Sequence, residues 1–179
     1  MRMSRKVQWC WMAPIVVALV AAGCGGDSSG APDRTEAINR ALANLKSPDV
    51  ERRRKAAASL ANFRDRRTVQ PLIDALKDEN SRVVQEAALA LGTQESTQAV
   101  TPLIGLLKDP SPDVRDAACR ALGQIGESDA IEPLTALLSD PKSIVQDSAA
   151  EAIEAIKRNV KGREQEEEEE EQEEKEGED

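Results

Sequence analysis

Residues 100–126 read VTPLIGLLKDPSPDVRDAACRALGQIG, and this stretch decides the fold. Val100, Leu103, Ile104 and Leu107 stand at i, i+3, i+4 and i+7, the spacing of one apolar helix face. Pro102 falls in the first turn, where a missing N–H costs little. The break Lys108-Asp109-Pro110-Ser111-Pro112 then interrupts the pattern, with Ser111 placed as an N-cap and Pro112 at the first helical position. A second helix follows, with Val114, Ala117, Ala118, Ala121, Leu122 and Ile125 on one side. It is expected to end near Gly123 or Gly126, because glycine tolerates a left-handed cap. The stretch therefore predicts a helical hairpin.

The hairpin recurs with a period of 31 residues. Pro71, Pro102 and Pro133 keep it, as do Leu45, Leu76, Leu107 and Leu138. Val83, Val114 and Val145 keep it, and so do the columns Ala56, Ala87, Ala118, Ala149 and Leu60, Leu91, Leu122, Ile153. One hairpin cannot bury its own apolar face, so copies must stack. The expected fold is all-α: a short right-handed α-solenoid of about four hairpins over residues 36–160. The end copies depart from the pattern in a way that suits surfaces facing water. Arg52 takes the valine column, and Glu154 replaces the column of Gly92 and Gly123, so that the last helix is expected to run on toward Asn159.

The phrase Pro102-Leu103-Ile104-x-x-Leu107-Lys108-Asp109, then Val114-Arg115-x-Ala117-Ala118-x-x-Ala121-Leu122-Gly123, resembles HEAT repeats. In particular it resembles the short HEAT-like repeats first noted in phycobilin lyases. The resemblance covers roughly 37–158 and implies fold more than activity, because one fold serves many roles. It implies that second helices line a concave binding face. It also implies that Arg115 and Asp109 join a hydrogen-bond ladder between neighbours, left incomplete by Val84 and Gln146.

Composition narrows the chemistry. The chain has no His and no Tyr; Trp9 and Trp11 lie near the N-terminus, and Phe63 is the one aromatic residue elsewhere. Without His, neither a Ser/His nor a Cys/His nucleophilic pair can be built. Similar repeats occur in a di-iron hydroxylase, whose paired His-Glu motifs have no counterpart here, and in bilin lyases, which act inside cells on pigment proteins. Neither a catalytic residue, a metal site nor a cofactor is expected. Base stacking on aromatic platforms is unsupported, so no nucleic-acid partner is expected either.

The N-terminus reads as an export signal. Arg2, Arg5 and Lys6 precede an apolar run from Val7 to Ala22, shorter than a comfortable membrane span of ~20 residues. The run ends at Leu19-Val20-Ala21-Ala22-Gly23-Cys24, which resembles the bacterial lipobox, with Ala21 in place of its usual Leu. The resemblance implies cleavage after residue 23 and lipid on Cys24. Residues 24–35, rich in Gly and Ser, are expected to be a flexible tether. Localisation is then the bacterial cell envelope, at the outer membrane where two membranes exist. The alternative is a plain signal peptide or an uncleaved anchor, with Cys24 incidental.

Charge is unevenly placed. Residues 161–179 hold twelve acids and three bases, which is the whole formal net charge of −9. This Glu-rich tail is expected to be disordered, because like charges repel. It either solubilises the chain or folds back on the first repeat. That repeat holds Arg52, Arg53, Arg54, Lys55, Arg64, Arg66 and Arg67, read as a basic end able to meet an acidic partner or lipid headgroups. The bland alternative is a solvated helix face with ordinary ion pairs. Two exposed columns change sign along the chain: Arg54, Gln85, Asp116, Asp147 and Ala58, Leu89, Arg120, Glu151. Arg53, Arg54, Gln85, Leu89, Asp116, Arg120, Asp147 and Glu151 form the candidate binding surface. Asp116, Arg120, Asp147 and Glu151 could instead hold a cation or be plain surface pairs. Cys119, in the small-residue column of Ala57, Ala88 and Ala150, is expected to be buried and inert. The function these features support is a membrane-tethered, non-catalytic protein-interaction module; the alternatives are a passive structural subunit of an envelope complex or a bilin-lyase-like enzyme.

Overall fold

The computed structural model describes residues 33–177, with side chains described through Gln165. The signal segment, Cys24 and most of the expected tether lie outside the described residues. Among the described residues, eight α-helices form an all-α solenoid of four hairpins. They are α1 (Arg34–Asn44) with α2 (Val50–Leu60), α3 (Arg66–Ala75) with α4 (Ser81–Thr93), α5 (Val100–Leu106) with α6 (Pro112–Ile125), and α7 (Ile131–Ala136) with α8 (Ser143–Gly177). The first helix starts two residues before the expected boundary at 36, with Asp33 at its N-cap. No described helix is long and apolar enough to cross a membrane.

The predicted columns build the spine. Leu60, Leu91 and Leu122 are wholly buried, as are Leu72, Leu103 and Leu134 from the first helices. Ala57, Ala88 and Cys119 are equally buried, because small side chains let second helices pack closely. The turn between each pair of helices is held by one recurring device. Ser47 Oγ, Asp78 Oδ1, Asp109 Oδ1 and Asp140 Oδ1 accept the backbone N–H two residues on, at 3.2, 2.9, 2.8 and 2.9 Å. Such local side-chain bonds give orphan N–H groups at a helix start their partners. Ser111 does occupy the N-cap of α6, but its side chain makes no capping bond.

Two expectations about helix ends are corrected. Of the two ends expected for α6, Gly126 is the one observed, as a left-handed cap; Gly123, like Gly92, is buried inside its helix. A Cβ on Gly92 would stand 2.7 Å from Ala121 Cα, and one on Gly123 would stand 2.9 Å from Ala152 Cα. These glycines are required by close helix approach, not by a cap. The left-handed residues that turn the chain out of α4 and α6 are Glu95 (φ 52°) and Gly126 (φ 78°). Lys157 takes that column in the fourth repeat and stays helical, so Lys157 rather than Glu154 marks where α8 runs on.

The helix then continues through Gly177, where the sequence reading expected disorder from residue 161. Extension of an existing helix adds one bond per residue without a new nucleus, and Glu is a good helix former. Just past the repeat, Arg163 holds α8 to the third hairpin. Its Nη2 donates to the Gly126 carbonyl at 3.3 Å and its Nη1 lies 3.7 Å from Glu127. A cation at the carbonyl end of α6 also suits that helix's dipole.

Candidate binding groove on the inner face

The second helices pack side by side along the array much more extensively than the first helices do. In a curved stack, the more tightly spaced layer lies inside, so α2, α4, α6 and α8 form the inner face. It carries a groove of about 610 Å³ between α6 and α8. Gly123 and Ala152 give it a floor almost without side chains. Arg120 and Gln124 rise from α6, and Glu151 and Arg158 from α8, all four exposed. Such a groove offers backbone-close contact at its base, with charge and hydrogen-bonding groups of both signs at its lips.

The candidate residues separate into two groups. Arg120 and Glu151 meet at this groove, and Asp116 lies beneath Arg120 at 4.0 Å. The Asp116 carboxylate accepts the Ser148 hydroxyl, so it joins α6 to α8. Asp147 is exposed on α8 but does not line the groove. Gln85 and Leu89 are half-buried one repeat earlier, on α4.

Arg53 and Arg54 belong elsewhere. Arg53 is 9 % exposed and is not a binding-surface residue. Its Nε and Nη2 donate to Asp78 of the next repeat at 2.7 and 3.0 Å, and its Nη1 to the Ser47 carbonyl at 3.0 Å. Arg115 repeats the arrangement, donating to both Asp140 oxygens at 2.8 and 2.9 Å and to the Asp109 carbonyl at 2.8 Å. Bidentate guanidinium–carboxylate bonds are the strong, directional kind. Between these two rungs, Val84 is buried and apolar. Gln146 keeps only the bond within its own repeat, to the Asp140 carbonyl at 2.6 Å. The ladder is therefore real but alternates.

The basic first repeat is mostly neutralised. Arg54 pairs with Glu86 at 3.0 Å and Glu51 at 3.1 Å, Arg64 with Glu95 at 2.7 Å, and Arg67 with Asp65 at 2.8 Å. Arg52 lies 3.6 Å from Asp49. With Arg53, five of the seven bases are matched, and three of the acids, Asp78, Glu86 and Glu95, come from the second repeat. The cluster joins repeat one to repeat two, so ion pairing, one of the two readings of these bases, accounts for five of the seven. Thr68 and Gln94 strengthen the same joint: the Thr68 hydroxyl lies 3.0 Å from Gln94 Oε1, and Gln94 Nε2 donates to the Leu60 carbonyl at 2.7 Å.

The titrating groups follow these contacts. Hydrogen bonds from the Arg67 side chain and backbone hold the Asp65 carboxyl down at about 2. At Asp78, burial pushes the carboxyl up, but the bonds from Arg53 and the Asn80 N–H outweigh it and the net shift is downward. The Arg115 bond, against the opposing effect of burial, lowers Asp140. Burial first, then the negative charges of Asp116 and Asp140, pushes the Cys119 thiol up to about 12. A thiol so hard to ionise is a poor nucleophile. Among the described residues, no group of three His, Cys, Asp or Glu side chains is placed to hold a metal ion.

The groove residues Gly123, Gln124, Ala152 and Arg158 were not among the sequence candidates. Their one sequence signal is the pairing of a glycine column with an alanine column 29 residues on, Gly92 with Ala121 and Gly123 with Ala152, which marks where two helices touch.

Known proteins agree with this architecture. No curated protein matches the chain. Among solved structures, an engineered protein is 28 % identical, with a TM-score of 0.56, over 68 % of this chain and 62 % of its own. Human deoxyhypusine hydroxylase, solved in complex with glycerol, is 26 % identical, with a TM-score of 0.59, over 71 % of this chain and 44 % of its own. The complex of CpcE and CpcF of phycocyanin lyase from Nostoc sp. PCC7120 is 26 % identical, with a TM-score of 0.49, over 78 % of this chain and 71 % of its own. The chain thus spans less than two thirds of the first two. The family model for HEAT repeats matches residues 38–107 and 85–154, which together take in nearly all of the four hairpins. The chain belongs to the HEAT repeat family.

Proposed function

We propose that the chain is a non-catalytic binding module that holds a segment of another polypeptide along the inner face of repeats three and four. The observation that carries this reading is the groove between α6 and α8. Its floor of Gly123 and Ala152 admits a backbone closely, and Arg120, Gln124, Glu151 and Arg158 stand ready to bond that backbone and its side chains. Its volume of about 610 Å³ lies within the usual range for binding clefts. The other charged cluster, at residues 52–67, is occupied in holding the fold together. Catalysis is disfavoured by the composition: the chain has no His, and its one described thiol is buried. The likeness to the hydroxylase covers 44 % of that enzyme and brings over its fold rather than its chemistry.

The test is a selection of peptides displayed on phage against the chain, followed by affinity measurement. Enriched peptides should lose at least about tenfold in affinity when Glu151→Arg and Gln124→Arg are combined, a loss of about 1.4 kcal/mol. Thr101→Arg, on the exposed side of α5, should leave affinity unchanged. Equal effects from both changes would place binding elsewhere.

We also propose that lipid on Cys24 tethers this module to a bacterial envelope, with residues 24–35 setting its reach. The support is in the sequence: basic residues, an apolar run, small residues at 21–23, then the Cys and a Gly/Ser-rich stretch. Radiolabelled palmitate is expected to enter the wild-type chain and not the Cys24→Ala variant; equal labelling would end the proposal.

A further inference from the structure

The two ends of the array match each other in a register that its interior joints define. Between neighbouring repeats, Gly92 meets Ala121 and Gly123 meets Ala152, 29 residues on. Arg54 bonds Glu86 and Asp116 bonds Ser148, 32 residues on. Arg53 reaches Asp78 and Arg115 reaches Asp140, 25 residues on. From the fourth repeat these offsets run past the last hairpin. If the next hairpin were the first repeat of a second copy, Asp147 would face Lys55, Gln146 would face Ser47, and Glu154 would face Ser59.

The fourth repeat carries the signs of an uncovered joint. Leu138 is 43 % exposed, whereas Leu76 and Leu107 in the same column are 6 % and 4 % exposed. Ala150 is exposed, whereas Ala57, Ala88 and Cys119 in its column are wholly buried. Asp147 is an exposed carboxylate and Lys55, at the other end, an exposed ammonium. Their pairing would repeat the Arg54–Glu86 contact with the signs exchanged.

Charged residues at both ends oppose it, among them exposed Arg52 in the column of the buried Val83, Val114 and Val145. The second and third joints place Gly92 and Gly123 at the point of closest approach, and the same column at the end of the array holds Glu154. At Gly123 even a methyl group would stand 2.9 Å from backbone, so a glutamate side chain there holds an incoming helix away. Lys157 would also meet Arg64, since that register is the one joining Arg64 to Glu95.

The geometry points to an end surface on the fourth repeat that fits the first repeat of a second copy, head to tail, with Glu154 holding the joint shut. A heterologous joint of this kind does not close on itself and would propagate into an open filament. Glu154 is thus the main steric block that keeps complementary ends from polymerising.

Sedimentation velocity over a concentration series tests this on the chain and on Glu154→Ala and Glu154→Gly. Both variants are expected to self-associate at least about tenfold more tightly than wild type, equivalent to about 1.4 kcal/mol. Asp147→Lys added to Glu154→Ala should reverse the gain, and Lys55→Asp added to that pair should restore it. Native-like circular dichroism shows that a variant is folded; Glu154→Ala, which favours the helix, decides the matter if the glycine variant is poorly folded. Monomeric, folded Glu154→Ala overturns the proposal, as does wild type that associates equally well, or association indifferent to Asp147.

Discussion

Alanine at Leu91 is expected to lower the free energy of unfolding by about 2–5 kcal/mol, the usual cost of truncating a fully buried leucine. Leu91 has no exposed surface and lies on α4, which packs against α2, α3 and α6. The hole would therefore open inside the packed core. A domain of this size has only about 5–15 kcal/mol of net stability, so the change should be obvious in a urea titration followed by circular dichroism. Leu138→Ala is the internal control. Leu138 occupies an equally regular column but is 43 % exposed, and its loss should cost well under about 1 kcal/mol. Equal effects at the two positions would mean that the spine does not run as described.

Valine at Gly123 is the second large effect, with an expected loss of about 1–3 kcal/mol from overpacking. The position looks permissive, since alanine or valine for glycine removes flexibility from a helix. At Gly105, on α5, where an added Cβ meets nothing within 4 Å, Gly105→Ala should indeed stabilise by about 0.5–1 kcal/mol. At Gly123 the added atoms meet Ala152 Cα, which belongs to the backbone of α8 and cannot rotate aside. Opposite signs at the two glycines, measured by thermal unfolding, are the expected outcome. The same sign at both would show that α6 and α8 are not in close contact.

How much of this was legible before the structure can be judged residue by residue. The 31-residue columns are legible because a repeat must bury equivalent atoms in each copy, so Leu60, Leu91 and Leu122 occupy equivalent places. The role of Gly92 and Gly123 was misread because a glycine near a helix end looks like a cap. Gly126 is legible as a left-handed cap, but Glu95, which does the same for α4, differs in residue type, so the two leave no visible column. Arg53 was misplaced for a related reason. Its partner Asp78 lies 25 residues on, not 31, so a search by repeat period does not join them. The sign columns contain Arg120 and Glu151, and both line the groove. The groove itself depends on how far apart α6 and α8 sit, which no single column records. The helical course of residues 161–177 was missed because charge repulsion was weighed without the folded helix that precedes it.

The small repeats also explain a limit on chemistry. An array of this kind reaches stability by placing Ala, Gly and a buried Cys where helices touch, and by spending its arginines on rungs between neighbours. What remains at the groove is a set of exposed groups of both signs around a nearly bare floor, the arrangement on which the proposed binding role rests.

The most direct measurement is photocrosslinking in living cells from a benzoylphenylalanine placed singly at Gln124, at Glu151 and, as the outer-face comparison, at Thr101. The account expects one discrete polypeptide adduct from Gln124 and Glu151, absent from Thr101 and lost when Arg120 and Arg158 are both reversed to Glu. Adducts of equal yield from Thr101, or adducts from the groove that survive that reversal, would contradict it.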